Sequence, residues 1–293
     1  PFGTFKNYQS RLVYKGSPLR FIPMFDLTER KPTIFCAVFF TLFMLITWPA
    51  YAEKNIIHVG ADPWCPYNCS PDEQHKGLMI DVASEALALS DFTLKYKIIN
   101  WARAKRMVSL GELDGIVGMA RAPTSEPYYL FPNTALGQSQ ICFYRIADSQ
   151  WQYQSIESMA SQRLGWINDY RFSNDDLDQW VIQNKQTDRI VNVAGVDVYP
   201  RLFKLLQVKR ITTFAEDKNV IAFELKKVKL EHEIEMAGCL DSIDEVHLAF
   251  SLKAKDNKIW AKALDKGVEQ LRQNGRLASI LGYYGLTLES WVK

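Results

Sequence analysis

The sequence predicts an α/β protein of two lobes, each a parallel sheet with helices on both faces, joined by two crossing hinge strands. Three observations predict it. Strand-like and helix-like apolar periods alternate from Ile56 onward. A second unit of the same kind begins near Trp151, and a later strand and long helix return the chain to the first unit.

Ile56–Val59 is a short buried strand, followed by the polar loop Asp62–Gly77. Leu78–Leu89 then places Leu78, Val82, Ala83, Ala86 and Leu87 on one helical face. Phe92, Leu94, Tyr96 and Ile98 alternate with polar residues, the pattern of a half-buried strand. Arg103–Leu110 is a second helix stopped by Gly111, and Gly115–Met119 a third strand. In the second unit Arg163–Ile167, Ile190–Val193 and Arg210–Thr213 are strands. The helices between and after them are Asn174–Gln183, with Ser173 as its N-cap, Val198–Leu206 and Glu216–Leu225. Val246–Ser251 is a strand, and the helix Asn257–Gln273 turns Ile259, Ala263, Leu264, Val268 and Leu271 inward before ending at Gly275. The chain thus leaves the first lobe near Ile141–Arg145 and re-enters it near Val246–Ser251, and the two extended segments form a hinge.

The front of the chain reads as an export signal. Thr33–Trp48 is almost wholly apolar, follows Arg30 and Lys31, and precedes Pro49 and the small-x-small site Ala50-Tyr51-Ala52. Cleavage is expected after Ala52; the rival reading is a membrane anchor, because roughly 18 apolar residues span a bilayer. Met24 gives a signal of ordinary length, so residues 24–52 are the signal and residues 1–23 an upstream or non-native segment. Lobe one then takes residues 53–144 and 246–293, and lobe two residues 145–245. The first 52 residues hold six Lys and Arg and two Asp and Glu, which leaves 29 against 31 and a charge near −2. That balance argues against a nucleic-acid partner, which calls for a basic excess.

Four cysteines follow the signal: Cys65, Cys69, Cys142 and Cys239. An even number in an exported chain permits disulfides. Cys65 and Cys69 are close enough to bridge; free thiols are the second reading and metal or redox chemistry the third, since the spacing is not that of a thiol-redox site. Cys142 and Cys239 lie at the two crossings and form a second possible pair. His58, His75, His232 and His247 show no metal spacing and no catalytic constellation, and neither a cofactor nor a metal is expected.

The candidate binding residues all follow strand ends, where open α/β sheets bind ligands. Trp64 and Tyr67 form an aromatic wall or pack around a Cys65–Cys69 bridge. Trp101 and Arg103 supply a second wall with a cationic contact, or a helix staple and a solvated arginine; Arg106 belongs to the surface. Asn168, Asp169, Tyr170, Arg171 and Ser173 fill a turn before a helix, whose N–H groups either meet a ligand or are capped by Asp169.

Several segments together resemble the polar-amino-acid class of bacterial periplasmic solute-binding proteins (family 3) that serve ABC importers. They are Gly111-Glu112-Leu113-Asp114-Gly115-Ile116-Val117-Gly118-Met119, Leu164-Gly165-Trp166-Ile167 with Asp169-Tyr170, Val246-His247-Leu248-Ala249-Phe250-Ser251, and Leu271-Arg272-Gln273-Asn274-Gly275-Arg276-Leu277 with Ile280-Leu281 and Tyr283–Gly285. The resemblance covers Asn55–Val292 and implies the periplasmic-binding-protein fold. It implies capture of an amino acid or related solute without catalysis, as a monomer in the periplasm, for a membrane permease. It also implies that Asp217 holds the ligand ammonium; the alternative is that Glu216 and Asp217 stabilise a helix start. The family's carboxylate-binding arginine falls at Ser125, and Ala120 and Ala122 stand at its two threonine positions. Arg121 is the nearest substitute, four residues early. The competing functions are a sensory or partner-presenting module, and a dehydratase-like enzyme using Glu216 or Asp217 as acid or base.

Overall fold

The structure is a computed structural model that describes residues 55–172 and 174–291. The expected signal, its cleavage site and the N-cap at Ser173 lie outside those residues.

Two sheets carry the fold. The first contains β1 (Ile56–Ala61), β2 (Thr93–Ile98), β3 (Gly115–Ala120), β4 (Tyr129–Leu130), β5 (Gly137–Ser139) and the late strand β11 (Asp244–Ser251). Their order is β2-β1-β3-β11-β4, with β5 also paired to β11. The second contains β6 (Ile141–Ile146), β7 (Leu164–Ile167), β8 (Ile190–Val193), β9 (Thr213–Asp217) and β10 (Ile234–Cys239), in the order β10-β6-β9-β7-β8.

The expected parallel strands form the body of each sheet, and each sheet also holds antiparallel strands. β1 runs parallel to β2 and β3, and β7 parallel to β8 and β9. β11 runs antiparallel to β3, and β6 antiparallel to β9 and β10. The direction follows from the connectivity. Parallel strands of both units end at the boundary between the sheets, and a chain arriving from the other unit enters at that boundary and runs away from it. The crossings themselves are short: Gln140 separates β5 from β6, and Leu240–Ile243 separate β10 from β11. Ile141–Arg145, expected to leave the first lobe, is therefore a full strand of the second sheet. The two crossings lie side by side, since Leu240 N donates to Ile141 O (2.9 Å) and Gln140 Nε2 to Leu240 O (3.3 Å).

The helices follow from local chemistry. α1 (Leu78–Ala88) begins after Gly77, whose φ of 106° suits glycine. A Cβ there would stand 2.5 Å from Tyr67 O. α2 (Trp101–Leu110) starts two residues before the expected helix, because the Asn100 side chain accepts from Arg103 N and caps it. α3 (Asp175–Asn184) is capped by Asn174, whose side chain accepts from Leu177 N at 2.9 Å. α4 (Val198–Gln207) is nearly as expected. The next strand is displaced: Arg210–Thr213 was expected, and Thr213–Asp217 forms. All five of its residues are buried, so it shows no alternation, and its terminal acids imitate a helix start. α5 (Lys218–Val228) begins after them.

α6 (Asn257–Gln273) packs on α1 so closely that a Cβ at Gly267 would overlap the carbonyl of Ala86. Its buried face uses Trp260 with Leu264, Val268 and Leu271, whereas Ile259, expected inward, is 56 % exposed. α7 (Arg276–Tyr283) and the short α8 (Leu288–Trp291) complete this side, and the buried Trp291 donates Nε1–H to Leu136 O at 2.9 Å. Both cysteine pairs are bonded: Cys65 to Cys69 and Cys142 to Cys239, with Cα atoms 4.7 and 3.8 Å apart.

Candidate functional site

A cavity of about 540 Å³ opens where the two sheets meet. Its lining comes from the carboxyl ends of β1, β3, β7 and β9, from α2, and from the first residues of β6 and β11. This is the position that α/β topology favours for a ligand.

The lining includes buried polar side chains. Asp62 and Asn68, after β1, are 4 % and 1 % exposed, and Glu216, near the end of β9, is 0 % exposed. Hydrogen bonds cross the cavity directly. Trp64 Nε1 donates to Glu216 Oε1 at 3.0 Å, and Tyr170 Oη donates to Asp62 Oδ2 at 2.6 Å. Tyr199 Oη, on α4, donates to Glu216 Oε2 at 3.2 Å. Lys105 Nζ, on α2, donates to Asp169 O at 3.0 Å, and Asn100 Nδ2 to Gly195 O at 3.2 Å. The two sheets are thereby held face to face by donors and acceptors from both.

Burial governs the protonation of this cluster. Desolvation raises the Asp62 carboxyl to about 7, partly opposed by the Tyr170 hydrogen bond. It raises Glu216 to about 8 against the hydrogen bonds from Asp217 N and Trp64. Asp217 rises to about 6 from the same cause, offset by the backbone and side-chain donors around it. Desolvation pushes Tyr170 and Tyr199 well above the ordinary phenol range, and lowers Lys105.

Trp64, Trp101, Asp169, Tyr170 and Arg171 line the cavity. Trp101 meets Tyr170 edge-on with ring centres 5.8 Å apart. Asp169 adopts φ 64°, which turns the chain sharply after β7. Tyr67 lies behind the wall: its ring stacks on Trp64 at 4.4 Å, its hydroxyl donates to Gln138 O (2.6 Å) and accepts from Asn219 Nδ2 (2.8 Å). Arg103 does not line the cavity and is exposed. Arg121 faces away, paired with Glu126 at 2.9 Å, because Ala120 and Ala122 occupy the inward positions of that extended segment. Ser173 is outside the described residues.

Asp217 is an N-cap and not a cavity residue. Its carboxylate accepts from Gln140 N, Asn219 N and Val220 N at 2.8–3.1 Å, while Glu216 faces the cavity. Ser125 borders the cavity with its hydroxyl engaged in its own turn, donating to Ala120 O (2.8 Å) and accepting from Ala122 N (3.0 Å). Arg106, read as surface, reaches the rim. Asp62, Asn68, Lys105, Tyr128 and Ser139 were missed. Asp62 carried the same positional signal as Trp64, being the first residue after a strand. Tyr128 and Ser139 carried none, since they precede or end strands too short to show a period. Among the described residues no group of three or more His, Cys, Asp or Glu could hold a metal ion, and no helix is long and apolar enough to cross a membrane.

The family described as bacterial extracellular solute-binding proteins, family 3, matches residues 57–287. No curated protein matches the chain in sequence. Among solved structures, a histidine kinase sensor domain with similarity to periplasmic binding proteins superposes with a TM-score of 0.65 at 14 % identity, over 78 % of this chain and 95 % of that one. A mutant of ArgBP from T. maritima gives 0.64 at 15 % identity, over 79 % and 96 %. An ancestral arginine-binding protein bound to arginine gives 0.63 at 15 % identity, over 79 % and 98 %.

Proposed function

We propose, from the premise that this chain belongs to family 3 of the bacterial extracellular solute-binding proteins, that it captures a small polar solute, an amino acid or a related compound, between its sheets. The observation that carries this reading is the cavity itself: about 540 Å³, at the strand ends, with buried polar groups contributed by both sheets. A solute entering it touches both lobes at once, so binding favours their closure about Gln140 and Leu240–Ile243. The protein acts without catalysis, as a periplasmic monomer exported by a signal ending at Ala52, and hands its solute to an ABC-type permease. ArgBP and the ancestral arginine-binding protein support the solute class.

The test is a thermal-shift screen of the mature chain against amino acids, amines, organic acids and short peptides. A solute at about 100 times its dissociation constant adds about 2.7 kcal/mol to stability, a rise of several degrees. Arg121→Ala should shift by the same amount as the parent protein. No stabilisation by any solute sinks the reading. A second reading, a ligand-binding sensory module, is favoured by the similarity to the histidine kinase sensor domain. Solute uptake that survives deletion of the chain favours the sensor.

A further inference from the structure

We infer that the solute is an organic anion with an apolar body, and that Lys105 and Arg171 together hold its carboxylate or phosphate at the rim of the cavity. The inference rests on the solute-capture reading above and narrows it.

Lys105 comes from α2, which packs on the first sheet, and Arg171 from the turn after β7 of the second. Trp101, Lys105 and Ser109 stand four apart on α2, as do Ala102 and Arg106, so one stripe of the helix lines the cavity. A smaller cavity of about 90 Å³ shares Lys105, Asp169, Tyr170 and Arg171 with the larger one and adds Lys185. Four cations thus border the two spaces: Lys105, Arg106, Arg171 and Lys185. Asp169 borders both; the other acids, Asp62, Glu216 and Asp244, border only the larger.

Among the described residues none of those four cations forms an ion pair, whereas Arg121, Arg145, Arg272 and Arg276 each hold a glutamate. Their one side-chain hydrogen bond runs from Lys105 Nζ to Asp169 O, a neutral carbonyl, at 3.0 Å. Lys105 is half-buried. Burial lowers the pKa of its ammonium, the Asp169 carboxylate raises it, and the Arg171 guanidinium lowers it again. A half-buried cation with a neutral partner and a second cation beside it calls for an anion.

The buried acid Asp62 stands apart from this rim. Tyr170 spans the gap: its hydroxyl donates to Asp62 at 2.6 Å, while its backbone joins Asp169 to Arg171. The length of a tyrosine side chain therefore separates that acid from the turn that carries Arg171. Much of the remaining lining is apolar. Val117, Met119, Ala120 and Ala122 come from β3 and the segment after it, and Trp64 and Trp101 add aromatic surface. That segment offers no cation, since Ser125 is closed on its own turn and Arg121 is paired with Glu126.

The two cations belong to opposite sheets, so closure brings like charges together. Their repulsion opposes closure, and an oxyanion between them turns both contacts into attractions. A guanidinium fork and an ammonium suit carboxylate and phosphate oxygens alike. Binding of an anion is thereby coupled to closure, whereas a neutral solute leaves the repulsion in place.

The experiment is calorimetric titration with matched probes: indole-3-acetate and indole-3-acetamide, phenylacetate and phenylacetamide, phenyl phosphate and phenol. The tightest hit of the solute screen joins them with its own carboxamide or dephosphorylated counterpart, and decides the matter where no probe binds. The acid should bind at least ~10-fold more tightly than its neutral counterpart, the worth of one charge-assisted hydrogen bond. Acetate and inorganic phosphate, which lack the body, should bind at least ~10-fold more weakly than the aryl acids. Lys105→Gln and Arg171→Gln should each weaken the acid at least ~10-fold and leave the neutral counterpart unchanged. Arg103→Gln, on the same helix but outside the cavity, should change neither. The comparison of ligands needs no variant, so it stands even where a replacement unfolds the chain. A neutral counterpart that matches its acid, or a tightest hit without an anionic group, overturns the inference and leaves solute capture intact. So does an acid that keeps its affinity in either folded variant, or acetate or phosphate that binds as tightly as the aryl acids. A chain that binds no solute of any class overturns the capture reading and this inference with it.

Discussion

Glu216 and Asp217 share the end of one strand and have opposite surroundings. Successive strand residues point to opposite sides, so one acid enters the cavity and the other meets the start of α5, where Asn219 N and Val220 N hold it together with Gln140 N from the crossing. The sequence could show two acids ahead of a helix but not which of them the strand aims inward, because the start of β9 was legible only to within three residues. The acid that faces the cavity has a consequence for stability. Glu216 and Asp62 are held at about 8 and 7 against unfolded values of 4.5 and 3.8. The native state therefore keeps protons that the unfolded chain releases. The stability they contribute is complete below the unfolded values and is lost as pH rises through 7 to 8. Urea unfolding at pH 5, 7 and 9 should show stability falling steadily, by several kcal/mol in all when both carboxyls are added. Glu216→Gln should remove roughly half of that fall, and a flat profile would show that these carboxyls are ionised in the folded protein.

At the scale of elements, the long regular segments were legible and the short ones were not. α1, α4, β8 and α6 lie where periodicity placed them, because each is bounded by a glycine or a polar turn and buries one definite face. β4 and β5, with two and three residues, cannot display a period, and β10 contains a register shift at Met236/Gly238 that breaks its alternation. On α6 periodicity gave the right helix and one wrong member. Ile259 and Trp260 are neighbours, and the larger side chain takes the core. The contact between α6 and α1 depends on a residue that periodicity ignores. Gly267 faces the Ala86 carbonyl without room for a methyl group. Gly267→Ala should therefore destabilise by about 1–3 kcal/mol, the usual cost of overpacking, although alanine is the better helix former. A denaturant midpoint that rises instead would mean the two helices can separate freely.

At the scale of the whole molecule, the order of units was readable because the chain returns to the first sheet only after the second is complete. The direction of the returning strands was not, since no single segment records which way its neighbours run. Only the connectivity between β5 and β6, and between β10 and β11, makes β6 and β11 antiparallel. The bond between Cys142 and Cys239 closes a loop of 97 residues at those crossings, against four for Cys65 and Cys69. Loop entropy predicts that the double replacement Cys142→Ser, Cys239→Ser lowers stability by up to about 4.7 kcal/mol, and the equivalent change at the short bridge by no more than about 2 kcal/mol. Equal losses in urea unfolding would show that strain or solvation outweighs loop closure.

The hydrogen bond from Trp64 to Glu216 makes the molecule its own optical gauge. The indole is 8 % exposed, stacked on Tyr67 and tied across the cleft. Parting of the two sheets breaks that bond and brings water to the ring. Trp64 is one of eight tryptophans, and the part of the emission that Trp64→Phe removes should thus follow the parting of the lobes, with no dye attached.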